Sequence, residues 1–191
     1  NSPSTAKLYR EDNSENFFRK KTMSRIRQEL EFLIERWDVE YIYFTSDTFL
    51  SINDAEFDKF VEIYSEYKLP FWLQSRAETV TEYRARKLKE IGCHRISIGL
   101  EHGNDEFRKQ VLKKKFDNEQ MIRASKILAD AGIPLTINNI IGFPDETREL
   151  IFDTIELNRK LSYDTTAAFP YAPFHGTSLH RLCVERGYIT E

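Results

Sequence analysis

Residues 88–107, LKEIGCHRISIGLEHGNDEF, decide the predicted fold. Gly92 follows a charged helical segment, where a glycine in the left-handed conformation commonly ends a helix. In the run 94–100 polar and apolar side chains alternate, which is typical of a β-strand with one buried face. Gly103 follows this strand, where the backbone must turn sharply or approach another group closely. The segment therefore predicts a helix, a tight turn and a strand that ends at a glycine-bearing loop.

The same alternation of helix and strand extends to both sides of this segment. Apolar residues recur at helical spacing within 26–37, 57–64, 121–129 and 151–158. Short apolar runs with strand character lie at 39–44, 69–74, 134–141 and 165–171. Five strands separated by helices with short connections predict a parallel α/β fold with helices outside the sheet. The pattern leaves open whether the sheet closes into a barrel.

Side-chain parity predicts which face of the central strand meets a ligand. Its two faces carry different residues: Arg95, Ser97, Gly99 and Glu101 on one, and Ile96, Ile98 and Leu100 on the other. The apolar face is expected to pack against helices, and the polar face to look inward. Glu101 then projects into the interior at the end of the strand.

Composition excludes several classes of protein. The chain has 191 residues and two cysteines, Cys93 and Cys183, which are too far apart for a Cys-x2-Cys metal site. A net charge of −3 gives no electrostatic case for nucleic acid as a partner. No stretch approaches the roughly 18 apolar residues of a membrane span, and the first residues lack the apolar core of a signal peptide. The chain begins Asn-Ser-Pro, so we expect a fragment.

Ligands of parallel α/β folds bind where the strands end, because the loops there converge and helix N-termini point inward. Every predicted strand ends in polar residues or glycine, and the candidates are Thr45, Ser46, Asp47, Ser75, Arg76, Glu101, Asn138, Gly142 and Tyr171. These groups offer carboxylates, an arginine, amides, hydroxyls and open backbone. Such a set suits a ligand with a sugar, a zwitterion and a flat ring better than a bare phosphate.

Several of these residues also have structural interpretations that involve no ligand. Asp47 is equally explained by turn and capping chemistry. An ion pair with Arg95 or Arg108 is the structural alternative for Glu101. The segment 145–147 suits a helix N-terminus, where acidic side chains complement the dipole. The lysines at 113–115 are expected to form a solvated face, and both cysteines to be inert packed thiols.

Taken in order, the motifs resemble the catalytic core of radical S-adenosylmethionine (SAM) enzymes, and most the branch with an upstream cobalamin-binding domain. The motifs are YFTSDTFL at 43–50, QSRAETV at 74–80, LKEIGCHRISIGLEHGNDEFRKQVLKK at 88–114, LADAGIPLTINNIIGFPDET at 128–147 and AFPYAPFHGTSLHRLCVERGYI at 168–189. The resemblance implies a partial parallel (β/α) barrel with five of six core strands. Residues 1–191 are then a core domain that lacks the first strand and its Cys-x3-Cys-x2-Cys cluster loop.

The resemblance implies roles for residues at the first two strand ends. Thr45, Ser46 and Asp47 match the segment that holds the amino group of SAM. Ser75 and Arg76 match the polar end of the next strand.

Further roles follow in the second half of the chain. Glu101 matches an acidic residue near the ribose and methionine portion, with Arg108 as a candidate partner for the methionine carboxylate. Asn138, Ile140 and Gly142 match the strand that backs the adenine. Tyr171 begins the last motif, which lies over the adenine and close to the substrate.

The activity implied is reductive cleavage of SAM by a 4Fe-4S cluster, giving a 5′-deoxyadenosyl radical that acts on an unactivated carbon. Cobalamin-dependent methyl transfer is the preferred reaction. The cluster ligands and the cobalamin domain are expected outside this chain, which alone should be inactive. A small-molecule substrate, a reductant such as flavodoxin or ferredoxin, and a cytoplasmic setting are implied as well. This sequence departs from the family by having His102 where a serine is common and His175 where a proline is common.

Two other functions remain open. One is an ordinary (β/α) barrel hydrolase or lyase with Asp47 and Glu101 as an acid/base pair. The other is a degenerate barrel that binds a nucleoside without catalysis. A cluster motif just upstream of Asn1 distinguishes both from the radical enzyme.

Overall fold

The computed structural model describes residues 20–46 and 48–190. The chain divides into two compact units, one ending at Val39 and the other beginning at Glu40. Within the first unit, helix α1 spans Met23–Trp37 and begins where the Thr22 hydroxyl accepts a hydrogen bond from the backbone N–H of Arg25 at 3.2 Å. This helix confirms the apolar periodicity at 26–37.

The second unit contains one sheet of five parallel strands. The strands are β1 Ile42–Phe44, β2 Phe71–Ser75, β3 Cys93–Glu101, β4 Leu135–Ile141 and β5 Thr165–Pro170. Their order in the sheet is their order in the sequence, and every neighbouring pair is parallel. The predicted parallel α/β class is therefore confirmed. Because all strands run the same way, their carboxyl ends lie along one edge of the sheet.

Helices connect consecutive strands and follow the last one. They are α2 Asp54–Tyr64, α3 Glu82–Glu90, α4 Asp105–Gln110, α5 Asn118–Asp130, α6 Arg148–Asn158 and α7 Ser178–Glu185, with a short 3-10 helix at Ala77–Thr79. Each α-helix begins at a side chain that accepts a backbone N–H, the strongest local signal for a helix start. None of the helices described here is both long and apolar enough to cross a lipid bilayer.

The two faces of β3 differ as the parity predicts. Ile96, Ile98 and Leu100 have no solvent-exposed surface, whereas Glu101 is half-buried. Burial of each such aliphatic side chain stabilises the fold by about 1.5–3 kcal/mol. We call the opposite face, which carries Arg95, Ser97, Gly99 and Glu101 on β3, the open face.

Aromatic packing attaches α2 to the helix-side face of the first two strands. Phe44 of β1 lies 5.5 Å from the Phe60 ring and 5.7 Å from the Tyr64 ring of α2, measured between centroids. Phe71 of β2 lies 4.8 Å from Tyr64. The last strand is packed differently, since most of its residues are exposed and Phe169 retains 52% of its surface.

Candidate functional site

Glu101 places a carboxylate on the open face at the end of β3. Its backbone has a positive φ of 66°, and the strand register shifts between Gly99 and Glu101. A Cβ at position 99 would lie 2.3 Å from Glu101 Oε1, so the carboxylate folds back over the glycine. Gly99 is therefore glycine because the Glu101 side chain occupies the space a methyl group would need.

A lysine is the partner of this carboxylate. Lys114 Nζ donates to Glu101 Oε1 at 2.6 Å, and the two side chains keep 27% and 20% of their surface exposed. The structural alternative of an ion pair with Arg95 or Arg108 is wrong. Arg95 Nη1 instead donates to the hydroxyls of Thr136, at 3.0 Å, and Thr165, at 3.2 Å. The solvated-face interpretation of the lysine run is wrong for Lys114.

The turn after α4 explains why sequence patterns did not reveal this pair. Lys113 adopts a left-handed backbone with a φ of 55°, and the backbone N–H of Lys114 donates to the carbonyl of Arg108 at 3.0 Å. The helix ends at Gln110, and the chain changes direction in the middle of the lysine run that follows. No local pattern in Lys-Lys-Lys indicates which of three identical side chains faces the sheet.

Arg108 does not lie where a ligand carboxylate could reach it. Its side chain has no exposed surface, and Nη1 donates to the carbonyl of His102 at 2.6 Å. Nη2 donates to Asn118 Oδ1 at 2.7 Å and to the carboxylate of Asp105. The guanidinium carbon also lies 4.7 Å from the Phe116 ring centroid. The expectation that Arg108 binds the methionine carboxylate is corrected, because its hydrogen bonds serve the α4–α5 connection.

The end of β2 divides between a buried and an accessible residue. Ser75 is only 4% exposed; its hydroxyl accepts from Leu50 N at 3.3 Å and lies 2.8 Å from the Thr79 hydroxyl. Ser75 thus organises the loops and does not face the open side. Arg76 remains 43% exposed and pairs with Glu78 at 2.8 Å.

The segment after β1 presents two exposed hydroxyls. Thr45 and Ser46 are exposed, and Asp47 lies outside the described residues. The turn that follows is held by Arg84 of α3, which sequence reasoning missed. Its guanidinium donates to the carbonyls of Leu50 and Ile52, both at 2.7 Å.

The end of β4 offers side chains and open backbone. Asn138 and Ile140 are half-buried, and Asn138 pairs with Gly99 in the strand register, which places it on the open face. Gly142 has a φ of +81°, and a Cβ there would meet nothing within 4 Å. Unfilled space therefore lies beside the backbone at this strand end.

Glu146 closes the loop after β4. Its Oε2 accepts from the backbone N–H groups of Gly142, at 2.5 Å, and Phe143, at 3.2 Å. The predicted role of 145–147 as dipole complementation is therefore wrong for Glu146. Thr147 caps the helix, with its hydroxyl accepting from Leu150 N at 3.4 Å.

Tyr171 continues the wall from β4 to the end of β5. Its backbone N–H donates to the carbonyl of Ile141 at 2.7 Å, and its ring lies 5.0 Å from that of Phe143. Burial raises the pKa of its phenol, and nearby Cys183 adds to the shift. Tyr171, Phe143 and Cys183, together with Gly142 and Tyr188, line a cleft of about 350 Å³.

The described residues do not fit an iron–sulfur cluster. Both cysteines of the chain are buried, and burial raises the pKa of the Cys93 thiol to about 12, which disfavours the thiolate that binds metal. Within residues 20–46 and 48–190 no group of three or more His, Cys, Asp or Glu side chains could hold a metal ion. The groups on the open face do fit a zwitterionic nucleoside, because they combine an anion, a cation, an amide and open backbone.

Comparisons with known proteins identify the family of the chain. Residues 5–157 match the family model of the Radical SAM superfamily. The chain is 31% identical over 159 residues to an uncharacterized methyltransferase of Pyrococcus horikoshii, an alignment that covers 83% of this chain and 34% of that protein.

Two solved structures share the fold. One is TsrM of Kitasatospora setae, a radical S-adenosylmethionine methyltransferase with cobalamin and a 4Fe-4S cluster bound; the TM-score is 0.72 at 17% identity, over 87% of this chain and 34% of that one. The other is OxsB, a cobalamin-dependent S-adenosylmethionine radical enzyme with aqua-cobalamin and S-adenosylmethionine bound; the TM-score is 0.65 at 17% identity, over 86% and 25%.

The chain thus spans about a third of the length of the archaeal relative. The family match covers the described strands β1 to β4 and nearly all of α6. Membership of this family argues against the alternative of an ordinary barrel hydrolase or lyase. The acid/base pairing of Asp47 with Glu101 stays a prediction, because Asp47 lies outside the described residues. The chain belongs to the Radical SAM superfamily.

Proposed function

We propose that this chain is the SAM-binding core of a cobalamin-dependent radical SAM methyltransferase. The family match, the archaeal methyltransferase relative and the fold shared with TsrM and OxsB support this proposal. The cluster loop, the cobalamin domain and contacts with a reductant would then belong to other parts of the complete protein. A small-molecule substrate and a cytoplasmic setting are part of the same proposal.

The pair formed by Glu101 and Lys114 carries the proposal. The two opposite charges lie 2.6 Å apart on the open face and keep part of their surface exposed. SAM carries a carboxylate, an ammonium group and ribose hydroxyls, so it needs both a cation and an anion from the protein. We assign Lys114 to the carboxylate in place of Arg108, and Glu101 to the ribose hydroxyls or the ammonium group.

The flanking strand ends would complete the binding site. Thr45 and Ser46 offer hydroxyls on one side for the ammonium group, and Arg76 at the end of β2 offers N–H donors for the methionine carboxylate. On the other side Asn138, Ile140 and the open backbone at Gly142 would lie against the adenine. Tyr171 would close this wall, because its ring extends the surface formed by the loop after β4.

SAM, when bound, supplies an activated methyl group and a sulfonium that can be cleaved reductively. The protein's own contribution is to bind and orient it. Lys114 and Glu101 would fix the methionine end, and the apolar wall with Ile140 and Tyr171 would exclude water from the adenine. We assign no catalytic residue, because the position of no described side chain indicates a catalytic role.

Substitution of Lys114 tests the assignment. In the complete protein, Lys114→Met is expected to weaken SAM binding about tenfold, the effect of losing one charge-assisted hydrogen bond. Lys115→Met is the matched control, because Lys115 is the adjacent lysine and its side chain is exposed. Isothermal titration calorimetry with SAM measures both. Equal affinities for the two variants would remove Lys114 from the site.

The reaction itself is tested separately. With its cluster and cobalamin loaded and a chemical reductant present under anaerobic conditions, the complete protein is expected to convert SAM to S-adenosylhomocysteine as methyl groups are transferred. A complete reading frame without Cys-x3-Cys-x2-Cys upstream of Asn1 would instead favour the degenerate nucleoside-binding barrel. Formation of 5′-deoxyadenosine without any S-adenosylhomocysteine would retain the superfamily chemistry and contradict methyl transfer.

A further inference from the structure

A buried histidine and a buried glutamate join the loops that follow β3 and β4. His102 has no exposed surface, and the side chain of Glu146 keeps only 1%. His102 Nε2 lies 3.0 Å from Glu146 Oε1. Neither side chain reaches the open face, so the proposed binding groups leave this pair unexplained.

The surroundings of His102 determine where its proton lies. The backbone N–H of Asn104 donates to Nδ1 at 3.0 Å, so Nδ1 is an acceptor and a neutral imidazole carries its proton on Nε2. Nε2 lies close to Glu146 Oε1, but the geometry of the pair does not make a hydrogen bond. Burial lowers the pKa of His102; Glu146 opposes the shift, Arg108 adds to it and Asp153 opposes it. The imidazole is therefore neutral at neutral pH.

The second oxygen of Glu146 holds the backbone that the proposed site uses. Oε2 accepts from Gly142 N and Phe143 N, while Oε1 faces His102. One carboxylate thus connects the positive-φ glycine at the end of β4 with the residue that directly follows Glu101. A buried carboxylate is stable only when such donors surround it.

Aromatic contacts extend the connection to β5. The His102 ring stacks on Phe107 with centroids 4.2 Å apart, and Phe143 lies 5.5 Å from Phe107. Phe143 in turn contacts Tyr171 at 5.0 Å. The ends of three neighbouring strands are therefore held by one continuous set of contacts.

We propose that His102 and Glu146 are positioning residues that hold the loop after β4 against the end of β3, and so fix the spacing between Glu101 and the backbone at Gly142. The inference rests on the proposed SAM site, whose two walls these elements form. It assigns a role to His102, a position at which this chain departs from the common serine.

Glu146→Gln is the test variant because glutamine keeps the shape of the side chain but cannot offer an oxygen both to the backbone N–H groups and to His102. A glutamine can still accept from Gly142, but its NH2 group would face the Nε2–H of His102. Glu149→Gln is the control, since Glu149 is exposed and lies in the first turn of the same helix. In the complete protein, Glu146→Gln is expected to weaken binding of SAM about tenfold and Glu149→Gln to leave it unchanged.

Two further measurements separate positioning from general stability. Because burial lowers the pKa of His102 below the ordinary histidine value of 6.5, affinity for SAM in the wild-type protein is expected to stay constant near neutral pH. It should fall only below pH 6.5, as His102 takes a proton on Nδ1 and the backbone N–H of Asn104 loses its acceptor. The profile should be flatter in His102→Asn. The double variant His102→Asn, Glu146→Gln should bind SAM no more weakly than Glu146→Gln alone, because the two residues act as one unit.

Hydrogen exchange makes failure of this inference distinguishable from failure of the proposed function. The amides of Gly142 and Phe143 are expected to be protected in the wild-type protein and in Glu149→Gln, and to exchange about tenfold faster in Glu146→Gln. Wild-type affinity in a Glu146→Gln variant whose amides exchange faster would overturn the inference alone. A wild-type protein that does not bind SAM would overturn the proposed function and the inference together.

Discussion

At the scale of single residues, two glycines near the end of β3 leave space for two different kinds of group. Gly99 leaves room for a carboxylate, since a Cβ there would lie 2.3 Å from Glu101 Oε1. Gly103 leaves room for backbone, since a Cβ there would lie 2.3 Å from the carbonyl oxygen of Asp153 and 2.4 Å from Thr154 Cα. A side chain can move aside, whereas a helix backbone cannot, so one glycine concerns the site and the other the fold.

Alanine at these two positions should therefore affect different properties, ligand binding at position 99 and stability at position 103. Gly99→Ala is expected to keep the stability within about 1 kcal/mol and to displace Glu101, which weakens SAM binding. Gly103→Ala is expected to lower the free energy of unfolding by about 3 kcal/mol, because helix α6 must shift. Urea denaturation and calorimetry with SAM measure the two effects. Loss of stability in Gly99→Ala with affinity intact would contradict this division.

At the scale of secondary structure elements, the strands and helices follow from local patterns. Alternation in 94–100 and helical spacing in 151–158 depend on neighbours in the sequence, so they were readable without the fold. The side-chain partners were not. The left-handed backbone at Lys113 turns Lys114 toward Glu101, and the burial of Arg108 removes it from the site. Such pairings depend on where a chain changes direction, which a run of like residues does not encode.

The connection after β1 is held by hydrogen bonds from a helix that lies about 30 residues later in the sequence. Arg84 of α3 donates to the carbonyls of Leu50 and Ile52 and, through Nε at 3.0 Å, to Asp54 Oδ1. These bonds anchor residues 50–54, which follow Thr45 and Ser46 in the same connection. The position of the proposed ammonium-binding segment therefore depends on a helix that does not touch the ligand.

Removal of this anchor gives a prediction with a control on the same helix. Arg84→Met is expected to lower the free energy of unfolding by about 3 kcal/mol, because two carbonyls and a carboxylate lose their donor. Arg86→Met should change the free energy of unfolding by less than about 0.5 kcal/mol. Arg86 is 67% exposed, and its ion pair with Glu90 is long, at 3.9 Å. Chemical denaturation of both variants measures the difference. Equal destabilisation would show that Arg84 does not anchor the loop.

At the scale of the whole molecule, the sheet is unevenly covered. Residues of β3 and β4 are mostly buried or half-buried, whereas those of β5 are mostly exposed. Phe169 keeps 52% of its surface and Phe174 keeps 78%. In the sheet that the structure describes, β5 pairs with β4 on one side and has no strand on the other. An exposed edge strand with large apolar side chains is prone to pair with another chain.

The 191-residue chain by itself is therefore expected to self-associate at high concentration. Phe169→Lys should reduce association, because a charge on an edge strand opposes strand pairing and removes apolar surface. Phe152→Lys is the matched control: Phe152 is 45% exposed but lies on α6, away from the edge strand. Sedimentation velocity over a range of concentrations measures the association of each. If the two substitutions reduce association equally, exposed apolar surface in general drives the association, and pairing at the edge of β5 does not. If the wild-type chain stays monomeric at about 100 μM, the exposed strand is not an association site.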